Sequence, residues 1–166
     1  TGPRARALLQ AMGELEELSW KTTLRRISTG DREAFEELGA AFYRLGQFQR
    51  IELTEAFAES QDPIWNAELG RLRESRDERV RMAAQVAQVR LGNQPAAFHL
   101  KEQLSAGGSG SVHAIDLLMR ASEDPIARQW LEDVALQLRG PRLQRVIVAL
   151  AEYGQQSARE RLRDLL

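Results

Sequence analysis

The sequence contains no cysteine among its 166 residues. Disulfide bonds, thiolate-ligated metal sites and cysteine nucleophiles are therefore excluded. Long apolar runs are also missing, since no stretch approaches the roughly 18–20 apolar residues that span a bilayer. Positive charge is not in excess either: 23 Lys and Arg residues balance 24 Asp and Glu residues, which leaves a net charge of −1. Dedicated nucleic-acid-binding domains usually carry a basic surplus, so this balance argues against that class.

What the sequence does contain is helical periodicity. Hydrophobic residues make up 43% of the chain, which is enough for a folded core. They recur at three- and four-residue intervals, and no alternating, strand-like run of useful length occurs. Asp62 and Asp124 stand directly before Pro63 and Pro125. An N-cap followed by proline is typical of a helix start, so both positions predict one. Gly30-Asp31 is predicted to end one helix and to cap the next.

The N-terminal part of the chain, 1–76, is predicted to form irregular helical hairpins. We expect helices over 4–12, 14–27, 32–45, 47–59 and 63–75, with a break near Gly13. Residues 32–63 resemble a single tetratricopeptide unit, and the matching positions are Phe35, Leu38, Gly39, Phe42, Gly46, Phe48, Ala58 and Pro63. The sequence departs from that family at Ile51 and Glu55, where the family has a small residue and an aromatic one. Any helical hairpin with aromatic packing is the alternative interpretation.

From Asp77 onward a regular repeat is predicted. Residues 77–104 indicate two amphipathic helices joined at Leu91-Gly92-Asn93. When the sequence is shifted along itself by the interval from Ala84 to Ile115, apolar residues fall on apolar residues at six positions. These positions are Ala84/Ile115/Val146, Val86/Leu117/Val148, Ala87/Leu118/Ala149, Ala96/Ala127/Ala158, Leu100/Leu131/Leu162 and Leu104/Ala135/Leu166. A fixed period of about 30 residues with helix–turn–helix content is typical of an α-solenoid, in which stacked hairpins share a core.

The unit over 77–104 resembles a short HEAT-like repeat, and the residues at that family's positions are Val80, Arg81, Ala83, Ala84, Leu91, Gly92, Ala96, Ala97, Leu100 and Leu104. This resemblance covers residues 77–166. It implies an all-α, right-handed α-solenoid with three HEAT-like repeats. We expect residues 1–76 to continue into it as a single solenoid. For function, the resemblance implies a surface for protein–protein interaction.

The same shift also aligns a set of polar and aromatic residues. His99, Trp130 and Arg161 share one position of the repeat, and Glu102, Asp133 and Asp164 share the position three residues later. Residues three apart project from the same face of a helix. We predict that these six residues form a partner-binding surface, because second helices commonly line the concave side of such a solenoid. The alternative is that Trp130 packs between hairpins while the acids keep the surface soluble.

Other candidate sites have simpler interpretations. His99 and His113 are the only histidines, and without a carboxylate cluster they do not predict a metal site. The glycine-rich run 106–111 lacks the preceding strand and following Lys of a phosphate loop, so we interpret it as a flexible turn. The arginines over 71–90 alternate with acids and predict intramolecular ion pairs between neighbouring helices. Trp20 and Trp65 are predicted to pack in the core or between the N-terminal hairpins, and Phe98 is predicted to belong to the core.

The sequence therefore predicts a non-catalytic, cytoplasmic scaffold that binds another protein, needs no cofactor and does not insert into a membrane. The chain begins Thr1-Gly2-Pro3, without Met or a signal peptide, and we expect it to be a fragment of a longer protein. Two alternatives stay open. One is a HEAT-like enzyme acting on nucleic acid or a small cofactor. The other is self-assembly through the terminal helix, which ends in Leu162, Leu165 and Leu166.

Overall fold

The computed structural model describes residues 3–106, 108–136, 139, 143–144, 146–148 and 150, with side chains described from residue 16. These residues form an all-α structure, and none of them lies in a strand. None of their helices is long and apolar enough to cross a membrane. The helices are α1 Pro3–Ser28, α2 Arg32–Leu38, α3 Gln47–Glu59, α4 Asn66–Arg73, α5 Glu78–Arg90, α6 Gln94–Ala106, α7 Ser109–Arg120 and α8 Pro125–Ala135, with short 3₁₀ helices at Gly39–Arg44 and Pro63–Trp65.

Helix starts recur at a fixed interval. Glu78 and Ser109, the first residues of α5 and α7, lie 31 residues apart. Helices α3, α5 and α7 follow caps with this same spacing, namely Gly46, Asp77 and Gly108.

Side-chain caps mark the second series of helix starts. Asp31, Asp62, Asn93 and Asp124 each accept a backbone N–H two or three positions further on, at 2.8–3.2 Å. Such a bond satisfies one of the free N–H groups at the start of a helix. The predicted caps Asp31, Asp62 and Asp124 are thereby confirmed.

Burial recurs with the same interval. Leu53, Ala84, Ile115 and Val146 follow one another at this spacing, and each is at most 5% exposed. The second helices show two further sets, which are Ala34/Trp65/Ala96/Ala127 and Leu69/Leu100/Leu131, all at most 3% exposed. A side chain at each of these positions faces the core. The recurrence therefore reaches back to α2, into the part of the chain where the sequence predicted irregular hairpins.

Helix α5 lies at the centre of the described structure. It packs against α3, α4, α6, α7 and α8. One set of its side chains, including Val80 and Ala84, joins the core cluster of the N-terminal half, while Met82 and Val86 join the cluster of the following helices. Ten of the thirteen residues of α5 are buried, as expected of a helix that is surrounded by its neighbours.

Three predicted boundaries were wrong. Helix α1 runs without interruption through Gly13, because one glycine in a helix costs only about 1 kcal/mol relative to alanine. The predicted helix over 32–45 ends at Leu38, since Gly39 has a φ of +43° and the chain continues as a 3₁₀ helix. The predicted helix over 63–75 is a 3₁₀ turn followed by α4, which ends at Arg73.

Candidate partner-binding groove

An open groove of about 370 Å³ lies between the second helices α6 and α8. Most of its walls are apolar, with one basic and one acidic side chain. A concave, mostly apolar surface with a few polar groups is typical of binding sites. The groove is lined by Gln94, Ala97, Phe98, Lys101, Leu104 and Ser105 of α6 and by Trp130, Asp133 and Val134 of α8.

Helix α8 contributes two of the residues that the sequence predicted. Trp130 is half-buried: part of its ring packs on the second core cluster and part lines the groove. Asp133 lies three residues later, is exposed, and lines the same groove. Their position follows from the start of α8, where Asp124 accepts bonds from the N–H groups of Ile126 and Ala127 at 2.8 and 3.3 Å. Trp130 therefore packs on the core and also presents a face to the groove, while its role in partner binding stays a prediction.

Helix α6 supplies the opposite wall with residues that the sequence did not assign to a site. The expectation that Phe98 belongs to the core was wrong, since the residue is 63% exposed. Ala96 and Leu100 are the fully buried residues of α6, and Phe98 lies two positions from each. Two residues correspond to about 200° of helix rotation, so Phe98 points away from the core and into the groove. Lys101, one turn later, lies beside it.

The other members of the predicted surface lie elsewhere. His99 and Glu102 are exposed and pair with each other, Nδ1 to Oε2 at 3.5 Å, but they do not line the groove between α6 and α8. Arg161 and Asp164 lie outside the described residues. The structure thus brings Trp130 and Asp133 together with Phe98 and Lys101. The three- and four-residue spacing of Ala97, Phe98, Lys101 and Leu104 is the signal that could have revealed this wall.

A buried ion pair fixes the start of α8 against the rest of the molecule. The side chain of Arg90 is 6% exposed and donates from Nε to Asp124 at 2.8 Å and from Nη1 to Glu55 at 2.5 Å. Burial opposes the charge of Arg90, but the two carboxylates outweigh it and raise the pKa of the guanidinium. One side chain of α5 thereby connects α3 with the cap of α8. The groove wall that carries Trp130 is held by this contact.

The remaining sequence candidates, His113 and the glycine-rich run, lie on or beside α7. The Nδ1 of His113 lies 2.9 Å from the carbonyl oxygen of Ser109, one turn earlier on α7. No group of three or more His, Asp or Glu residues that could hold a metal ion occurs among the described residues. The glycine-rich run is only partly a turn, since α7 already begins at Ser109, after Gly108 at a φ of +88°.

The predicted ion pairs of the arginine run are present in part. Arg90 makes the predicted interhelical pairs, as already described, whereas Arg71 pairs with Glu68 of its own helix at 2.9 Å. Arg81 instead donates to the backbone carbonyls of Ser75 and Arg76, both at 2.8 Å. These arginines stabilise helix ends and helix packing.

The chain matches no protein-family model, no curated protein and no solved structure.

Proposed function

We propose that this chain is a non-catalytic scaffold domain that binds another protein through the groove between α6 and α8. The observation that carries the proposal is an apolar groove walled by a half-buried Trp130 and a 63% exposed Phe98, with Asp133 and Lys101 on its lining. Tryptophan is one of the residue types enriched at binding hot spots, which cluster near the centre of an interface. One charge of each sign beside it would orient a partner segment.

The proposal includes a right-handed, HEAT-like α-solenoid as the architecture that creates this groove. Three observations support it: the constant interval between caps, the equal burial of equivalent residues, and the packing of α3 on α5 and of α5 on α7. Stacked hairpins of this kind leave shallow grooves between successive second helices. We propose that Arg161 and Asp164 extend the surface in the third repeat, and that His99 and Glu102 contribute at its rim.

Photo-crosslinking followed by a binding titration would test the proposal. A photoreactive phenylalanine analogue at position 98 should crosslink the partner in the native cell extract, whereas the same group at Tyr43, which is 73% exposed on another face, should not. With the identified partner, Phe98→Ala should weaken binding about tenfold, and Trp130→Ala about tenfold to a hundredfold. Tyr43→Ala should leave the affinity unchanged.

Asp133→Arg is a further test of the groove, because it reverses an exposed charge without removing core packing. It should weaken binding while the circular dichroism spectrum and the melting temperature stay as in the parent protein. A partner whose affinity is the same for Phe98→Ala, Asp133→Arg and the parent protein would show that the groove is not the binding surface.

A further inference from the structure

A second groove, of about 260 Å³, lies on the side of the molecule formed by the first helices α3, α5 and α7. Its floor is apolar and consists of Phe48 and Ile51 from α3 and Leu117 from α7. Phe48 is 73% exposed, although it is a large aromatic side chain. Ile51 and Leu117 pack on the two different core clusters, so the floor is anchored on both sides.

The polar lining of this groove is dominated by cationic side chains. Arg79 of α5 and Arg120 of α7 are exposed, and neither has an ion-pair partner among the described residues. Elsewhere in the same part of the chain, Arg26, Arg71 and Arg90 are each engaged by a carboxylate. Each of these two guanidinium groups can donate two parallel N–H groups to a carboxylate of a ligand. Both lie beside the apolar floor of the groove.

The half-buried His113 and Asp116 complete the lining. His113 lies with its Nδ1 against the carbonyl oxygen of Ser109, so its Nε2 is the ring nitrogen left for a ligand. Asp116 can accept the backbone N–H of a peptide. An extended peptide offers both features that this lining fits: backbone N–H groups and acidic side chains.

We propose that the groove across α3, α5 and α7 binds a short acidic peptide segment of a partner protein. An apolar side chain of the peptide packs on Phe48 and Leu117, and flanking glutamate or aspartate side chains pair with Arg79 and Arg120. This surface lies on different helices from the groove between α6 and α8, so the inference does not depend on that groove. The basic, phenylalanine-containing lining selects for acidic sequence by charge complementarity.

The inference can be tested by fluorescence anisotropy on the full chain. The probe is a labelled eight-residue peptide with four glutamates around a central leucine, and its control has glutamines in place of the glutamates. We expect saturable binding of the acidic peptide, weakened about threefold to tenfold by Arg79→Gln or by Arg120→Gln, and by a similar factor by Phe48→Ala. The matched control Arg25→Gln changes an exposed arginine in the acidic groove between α1 and α3 and should have no effect.

Three results would overturn the proposal. The first is no binding of the acidic peptide at about 1 mM, which is the weakest affinity that such a titration resolves. The second is equal binding of the glutamine peptide, or equal affinity for the two arginine variants and the parent chain. The third is tighter binding of a labelled oligothymidylate than of the acidic peptide, since that would identify the surface as a nucleic-acid site.

Discussion

Arg90 shows how a single residue connects distant parts of the chain. Its guanidinium joins Glu55, 35 residues earlier, and Asp124, 34 residues later. Asp124 is itself only 10% exposed at its side chain, while Glu55 is 45% exposed. A buried charge is tolerated only when partners satisfy it, so the three residues depend on each other. Nearby Glu59 shares this environment, and burial together with the charge of Glu55 raises its pKa.

Replacing Arg90 by alanine should destabilise the fold strongly. The change leaves the Asp124 carboxylate nearly buried without its cation, and we expect a loss of about 2–3 kcal/mol in the free energy of unfolding. Urea denaturation followed by circular dichroism measures this loss. The matched control is Arg71→Ala, because Arg71 is 64% exposed and forms a surface pair with Glu68. That control should cost less than about 1 kcal/mol. Equal losses for the two variants would contradict the structural role of Arg90.

At the scale of elements, aspartate caps mark several of the helix starts. Asp77 shows why: its carboxylate accepts the backbone N–H groups of Arg79 and Val80 at 2.8 and 3.2 Å, and it also accepts the side-chain amide of Gln47 at 3.2 Å. It therefore begins α5, the central helix, and links it to α3. The hydrogen bonds of Asp77 thus position the central helix against its neighbour α3.

Asp77→Ala should lower the free energy of unfolding by about 1–2 kcal/mol, because two N–H groups at the start of α5 lose their acceptor. Asp77→Asn keeps an oxygen at the same place and should cost only a few tenths of a kcal/mol. Thermal unfolding of both variants checks this difference. If the alanine variant were as stable as the asparagine variant, capping would not be what positions α5.

Local signals explain which elements the sequence could predict. Asp31, Asp62 and Asp124 cap helices as expected, since a cap depends on the few residues around it. The turn after α5 is also where the sequence placed it, and Gly92 has the positive φ, +76°, that such a turn requires. The 3₁₀ helix from Gly39 was missed because its geometry depends on the packing of Phe35 and Phe42, whose ring centroids lie 5.7 Å apart.

The candidate site was predictable only in part, for a reason of geometry. Aligning repeats identifies equivalent residues, such as His99 and Trp130, which project from equivalent faces of successive helices. A groove between two such helices is instead lined by different faces of each, so Trp130 meets Phe98 and Lys101 rather than His99. Which residues face each other across the groove depends on how α6 and α8 pack. Aligning the sequence with itself gives no information on that packing.

At the scale of the whole molecule, the polar caps and the buried apolar residues recur at the same spacing along the sequence. Asp31 and Asp124 stand three intervals apart, and Ala34 and Ala127, buried in each case, follow them at the same distance. Helices α3, α5 and α7 contact in sequence, as stacked units would. We therefore propose that one helical unit, stacked repeatedly, produces the fold, and that both proposed grooves are consequences of that stacking.

Duplicating one unit tests this account most directly. A second copy of residues 77–107, inserted after Gly107, gives each copy of α5 its own Asp77 cap. If the units stack, the duplicated protein should stay helical and unfold cooperatively. Its maximum dimension, measured by small-angle X-ray scattering, should increase by about 10 Å, because that is the spacing of packed helices. An insertion that unfolds the protein, or that adds helix without lengthening the molecule, would contradict the stacked-unit architecture.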